Sequence, residues 1–299
     1  GIDFAVRQAI DAGWVKGPRI ITSGRIICMT CSGTEYFSGM YRIADGVDEN
    51  RKAAREQLKA GADVLKVMAT GAIMNPGGVP GAAQLGVDEM RAVIEEGAKL
   101  GIPTAAHAHG AQGIKNAVEA GVATIEHGTM ADDEAIEMMV KKNVFLVPTL
   151  LVDDLICKAG ERNEVPAFMV EKAERIKEKR HLVFNKAISA GVKIAMGTDA
   201  GTPFNFHGKN SMELDLYVRE KLMTPLKALQ TATRDAAEAI GLSDRLGTLE
   251  KNKIADCLVL GKNPLEDIGC LLDLKNIRMV FKQGILQKGW SGNGHGASD

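Results

Sequence analysis

Residues 101–129 read GIPTAAHAHGAQGIKNAVEAGVATIEHGT, and this stretch decides the fold. A short apolar run, Pro103–His107, leads into an amphipathic helical stretch, Ala111–Ala120. Gly121 follows as the left-handed stop that glycine adopts without steric cost. A second apolar run, Ala123–His127, begins at once. A strand, a helix and a strand joined by turns this short make a parallel pair with the helix packed across it. The same unit repeats outward in both directions. Further strands are expected at Arg19–Thr22, Val64–Ala69, Val144–Thr149 and Val192–Thr198, and further helices at Val47–Ala60, Val87–Leu100 and Asp132–Lys142. Gly61, Gly101 and Gly191 stand at the matching helix-to-strand junctions. Near the start, Ile2, Ala5, Val6, Ala9 and Ile10 share one helical face that ends at Gly13. Six strands alternating with helices favour an α/β fold of the (β/α)8 TIM-barrel type, two strands short of closure.

After a helix at Pro225–Gly241 the pattern changes. Leu246–Glu250, Ala255–Leu260 and Ile277–Lys282 read as β segments separated by Asn-Pro and Gly turns. The expected domains are therefore a barrel over 1–247, part of a small β domain over 248–289, and a polar, Gly-rich disordered tail over 290–299. Forty-odd residues bury too little to fold alone, so the small β domain must pack on other strands or on the barrel.

Composition narrows the function. Lys plus Arg number 37 and Asp plus Glu 38, for a net charge of −1. That balance carries no electrostatic footprint for nucleic acid or an anionic membrane. No apolar run approaches the roughly 18–20 residues needed to span a bilayer. Five cysteines, an odd number in a long chain, make no disulfide framework, so a reducing, cytoplasmic setting is expected. Cys28 and Cys31 form a C-x-x-C string with no second ligand pair nearby, which fits two loop thiols better than a zinc or redox pair. The paired Met138 and Met139 are expected to fill core.

Histidines carry the chemical signal. His107 and His127 close two predicted strands, and Asp199 lies in Gly197-Thr198-Asp199-Ala200-Gly201 at the end of another. In a parallel barrel all strand C-termini open on one face, so these three residues should converge. Two imidazoles and a carboxylate are a common metal set. Lys66 sits inside the apolar run Ala62–Met68, where a charge must be paired or change state. Two readings stand open on the residues alone: a carbamate that bridges metal ions, or an ion pair with Asp199 or another strand-end acid.

The strings GADVLKVMATGA, AAHAHG, IEHGT, GTDAGTPFNFHGKN, TATRDAAEAIGL and LGTLEKNKIADCLVLGKNPLEDI together resemble the amidohydrolase superfamily, in its prolidase-like or imidazolonepropionase-like branch. That branch includes Xaa-Arg/Lys dipeptidases and carboxypeptidases. The resemblance runs to about residue 288. It implies a distorted barrel with one or two divalent ions, usually zinc, and a carboxylated Lys66 as bridge. His107 and His127 would hold the second ion. Asp199 would bind the first, take the proton of the attacking hydroxide and pass it to the leaving amine. His109, beyond the strand end, and His207, in NFHGKN, are expected to serve the substrate, a small molecule or short peptide. His181 is expected on the surface and His295 in the tail. A homo-oligomer is a further expectation. The family's HxH pair at the end of the first barrel strand has no counterpart before Lys66, so strands 3–8 are the ones expected in this chain. A segment of GGHG type expected near Thr30–Gly33 reads TCSGTE instead. Three functions follow: a peptidase-like amide hydrolase, a hydrolase of cyclic amides such as imidazolones, and a barrel without activity. A carbamate lysine argues against a deaminase.

Overall fold

The computed structural model describes residues 1–37 and 39–289. The expected disordered tail, with His295, lies outside the described residues. By contact the chain divides into two compact units, Gly1–Phe206 and a second from His207 onward. The domain boundary proposed after residue 247 follows the switch from helical to β pattern, not this division. No helix among the described residues is long and apolar enough to cross a membrane.

The first unit is built on one parallel sheet. Its strands are β1 (Ile26–Cys28), β2 (Tyr41–Ile43), β3 (Leu65–Met68), β4 (Thr104–Gly110), β5 (Thr124–Met130) and β6 (Phe145–Val147), in the order β2-β1-β3-β4-β5-β6. Helices α1 (Ile2–Asp11), α2 (Gly46–Ala60), α3 (Val87–Ala98), α4 (Ala111–Ala120), α5 (Asp133–Lys141), α6 (Leu150–Gly160) and α7 (Ala167–Ala190) accompany it. The period of two along each strand sorts the side chains. Leu65, Val67, Ala106, Ala108 and Ile125 are fully buried on one face, while Lys66, His107 and His109 occupy the other.

Two strand expectations shift. Arg19–Thr22 forms no strand; Thr22 instead exchanges bonds with Asp63, its N–H donating to Oδ2 at 3.0 Å and its carbonyl accepting from Asp63 N at 2.8 Å. Val192–Thr198 makes a single bridge, Ile194 to Leu146. The strands beyond β3 are β1 and β2, each too short for a periodic pattern to register.

In the second unit the expected helix at 225–241 breaks into α9 (Pro225–Ala232) and α10 (Arg234–Ala239), after α8 (Ser211–Arg219). Thr233 causes the break: its hydroxyl donates to the Leu229 carbonyl at 2.8 Å, a back-bond that bends helices. An antiparallel sheet follows, in the order β7 (Cys257–Leu260), β8 (Ile277–Lys282), β9 (Ile285–Lys288). Leu246–Glu250 forms no strand. The unforeseen β9 pairs with β8 across Gln283-Gly284, both at positive φ as a tight hairpin turn requires.

Candidate metal centre

His107 and His109 stand two residues apart on β4 and therefore point the same way. The register sets His107 beside Glu126 and Ala108 beside His127. Regular alternation would send Glu126 and His127 to opposite faces. His127 has φ 74° and Gly128 φ 61°. This left-handed step turns both side chains to one side. Glu126 contacts the Lys66 ammonium, and the His127 ring lies 4.6 Å from His107 and 4.7 Å from His109 between centroids. His107 and His109 are also 4.7 Å apart. Three imidazoles thus form a nearly equilateral triangle, with potential ligand atoms all within 4.8 Å of one another.

Each ring is gripped from outside. His107 Nε2 lies 3.5 Å from the Gly71 carbonyl. His109 Nδ1 is 2.8 Å from the Thr129 hydroxyl, and His127 Nδ1 is 2.6 Å from the Thr149 hydroxyl. A carbonyl only accepts, so the His107 proton sits on Nε2 and its Nδ1 keeps a lone pair. Outward bonds at Nδ1 of the other two rings leave Nε2 of each as the remaining ligand atom. Burial pushes His107 and His127 well below the usual histidine range, with neighbouring imidazoles and Lys66 adding to it, and holds His109 down at about 3. Neutral imidazole is the form that binds metal. The donor set fits a divalent first-row ion.

The Gly71 carbonyl reaches His107 because the segment after β3 folds back over β4. At the crossing, a Cβ on Gly110 would lie 2.1 Å from the Gly81 carbonyl oxygen, so only glycine allows the backbones to touch.

The other predicted residues fall as follows. Lys66 pairs with Glu126. Asp199 has φ 55° and its side chain is exposed, though protein atoms crowd around it. That surrounding raises its carboxyl pKa, with Lys66 opposing and Glu126 reinforcing the shift. Lys66, Glu126 and Asp199 therefore lie within electrostatic reach of one another, and the Lys66 charge also acts on His107 and His127. His207 is exposed and opens the second unit; His181 is half-buried on α7 rather than fully at the surface. Met139 is fully buried and Met138 partly so. Cys28 and Cys31 are free thiols, and burial pushes Cys28 up to about 12. Sequence reasoning missed Glu126, Thr129 and Thr149. A carboxylate inside the apolar run Ala123–His127 was the available signal for Glu126, since it needs a partner just as Lys66 does.

A parallel α/β unit bearing histidines clustered on two adjacent strands, with a small antiparallel sheet, is the amidohydrolase pattern. The amidohydrolase family profile matches residues 2–286, and the chain belongs to that family. An ochratoxinase from Aspergillus niger is 33% identical over 312 residues, covering 97% of this chain and 64% of that protein. The crystal structure of an A. niger ochratoxinase superposes with a TM-score of 0.89 at 32% identity, over 97% of this chain and 71% of that one. A Xaa-Pro dipeptidase with methionine bound in its active site superposes with a TM-score of 0.88 at 34% identity, over 96% and 72%. An imidazolonepropionase from Nocardia farcinica is 31% identical over 202 residues, 67% of this chain and 46% of that protein. The chain spans less than two thirds of the length of the ochratoxinase it matches. The fold is the expected one: a partial (β/α)8-type barrel with a small β-sandwich domain, here represented by six parallel and three antiparallel strands.

Proposed function

We propose that this chain carries the centre of a metal-dependent hydrolase of C–N bonds, peptide or amide, of dipeptidase or carboxypeptidase kind. One observation carries the reading: two neutral imidazoles, a lysine and an acid from separate segments lie within reach of one another. The similarity to an ochratoxinase and a Xaa-Pro dipeptidase supports it. His107 through Nδ1 and His127 through Nε2 would hold the ion, zinc in the first instance, and Asp199 would share in it. When bound, such an ion supplies Lewis acidity, lowering the pKa of its water and polarising a carbonyl.

The side chains do the rest. Asp199 takes the proton of the attacking water and returns it to the leaving amine; a carboxyl with a raised pKa suits both transfers. Lys66 joins the metal set once released from Glu126: its ammonium gives up one proton, the free amine Nζ bonds to the carbon of CO2, and a second proton leaves to give the carbamate. In this reading His109 meets a small-molecule or short-peptide substrate. The test is turnover of dipeptides, N-acyl amino acids and imidazolones with and without chelation. Amide cleavage lost to chelator and restored by zinc supports the proposal. Turnover of imidazolones alone favours the cyclic-amide alternative, to which the likeness to imidazolonepropionase points. No turnover by zinc-loaded chain leaves a barrel without activity.

A further inference from the structure

We propose that Lys172 anchors the free carboxylate of an amino-acid substrate, so that the site selects N-acyl amino acids and peptides cleaved at their C-terminal residue. This rests on the hydrolase reading above and adds the group that chooses its substrate. Placement is the first ground. The segment that leaves β3 crosses the C-terminal ends of the histidine-bearing strands. Its Gly71 carbonyl lies 3.5 Å from His107 Nε2, and its Gly81 lies against Gly110 and Met130, which end β4 and β5. Asn75 belongs to the same segment, and its carbonyl accepts from the Lys172 ammonium at 2.8 Å. Lys172 stands in the first turns of α7, beyond β6, so the contact spans the end of the sheet where the site opens.

Charge is the second ground. Lys172 is half-buried, and among the described residues it forms no ion pair. Its ammonium bonds the Asn75 carbonyl and sits 5.2 Å from the centroid of the Phe168 ring. An ammonium has three donors, so two remain. Burial pulls its pKa down, with the adjacent Glu171 opposing. A carboxylate supplies the charge-assisted hydrogen bonds that such a cation lacks and offsets its burial. The third ground is the link to the reacting groups. Tyr41 pairs with Ile26, and Ile27 with Val67, so by register Tyr41 shares the sheet face of Lys66 and His107. Its hydroxyl bonds the Asn75 side-chain amide at 3.2 Å, and Asp199 lies within electrostatic reach of it. Asn75 is 4% exposed, yet the second polar atom of its amide has no partner among the described residues. One buried residue thus ties the cation to the face that carries the reacting groups.

The zinc-loaded full chain is assayed by acetate release from N-acetyl amino acids and from their uncharged N-methylamides. The parent chain should prefer the acids by about 10- to 100-fold in kcat/KM, carried mainly by KM. Lys172→Met and Lys172→Gln should erase that preference and Lys172→Arg should keep most of it, with circular dichroism showing the fold intact. A lysine that merely staples Asn75 would leave the acid-to-amide ratio where it was. Calorimetric titration of the same pairs of compounds reads the anchor independently of cleavage. Cleavage without a preference for acids, or a preference that survives both neutral substitutions, overturns the anchor and leaves the hydrolase reading standing. Acids bound in a Lys172-dependent way but never cleaved support the anchor and remove the hydrolase reading. Acids neither bound nor cleaved overturn both.

Discussion

Arg180→Met should cost about 3–5 kcal/mol of stability at neutral pH, because it leaves a buried carboxylate without its counter-ion. Arg180 lies on α7 with its side chain 0% exposed. It donates to the Leu150 carbonyl at 2.6 Å, to Asp153 Oδ2 at 3.2 Å and to Asp154 Oδ1 at 2.7 Å, all in the first turns of α6. Asp154 keeps a second partner, the Lys177 ammonium at 2.8 Å, so Asp153 is the group orphaned. Burial already drives Asp153 up to about 6 against the pull of Arg180. Burial acts to raise Asp154 too, but Arg180 and Lys177 outweigh it and hold that carboxyl below its usual value. The sign follows. A carboxyl whose folded pKa exceeds its free value of 3.8 favours the fold most below that pH, and it loses this contribution as pH rises through about 6. Without Arg180, Asp153 takes up a proton more readily, so the penalty should shrink at about pH 5 and be largest at about pH 8. Urea unfolding followed by far-UV circular dichroism at both pH values measures it. A loss under about 1 kcal/mol, or one independent of pH, refutes the reasoning.

Thr149→Val removes the hydroxyl that orients His127 and should weaken zinc about 10- to 100-fold in competition with a chelator, with secondary structure unchanged. Asp199→Asn should reduce amide turnover about 100- to 10,000-fold while metal is partly retained, and unchanged turnover removes Asp199 from proton transfer. Lys66→Ala should abolish turnover, with part of it restored by short carboxylic acids that replace the carbamate oxygens; activity equal to the parent chain argues against the bridge. Gly110→Ala drives a Cβ into the Gly81 carbonyl and should cost about 1–3 kcal/mol by thermal unfolding, together with displaced metal affinity as the Gly71 carbonyl leaves His107.

How far the fold could be read differs by element. The stretch 101–129 is transparent because a helical period of 3.6 and a strand period of 2 separate cleanly around Gly121, and α4 spans Ala111–Ala120 as read. β1 and β2 have three residues each and hold place through pairing, which leaves no periodic trace. Arg19–Thr22 has strand-like composition but bonds to Asp63 instead. At the site, His107 and His127 are legible as strand residues, but they do not close their strands as expected: β4 and β5 run on to Gly110 and Met130. His109 was equally legible by alternation, as residue i+2 on the same strand, but the resemblance drew attention to one imidazole of that pair. The Lys66–Glu126 pair belongs to the ion-pair reading left open for Lys66, with a partner other than Asp199. Glu126 was hidden because alternation assigns it the face opposite His127. Thr149 contributes only through a fold-dependent contact made 22 positions from its histidine.

The backbone explains why alternation fails where it does. Among non-glycine residues at positive φ, Asn143, Asn163 and Asn252 belong to a type that tolerates the left-handed region. His127 (74°) and Asp199 (55°) are also of types found there, whereas the β-branched Thr149 (48°) is not. All three belong to the site. Such conformations cost on the order of 1–3 kcal/mol each and persist only where the surroundings over-determine them. The surroundings here are visible. Arg180 clamps the Leu150 carbonyl next to Thr149. Thr149 bonds His127. Thr202 donates its hydroxyl to the Asp199 carbonyl at 2.9 Å. The buried cation on α7 thus stabilises a strained threonine, and the threonine fixes an imidazole. The stability measured for Arg180 and the metal affinity measured for Thr149 are two readings of one mechanical chain. A variant of Arg180 that loses stability without loosening the metal would break that chain at its first link.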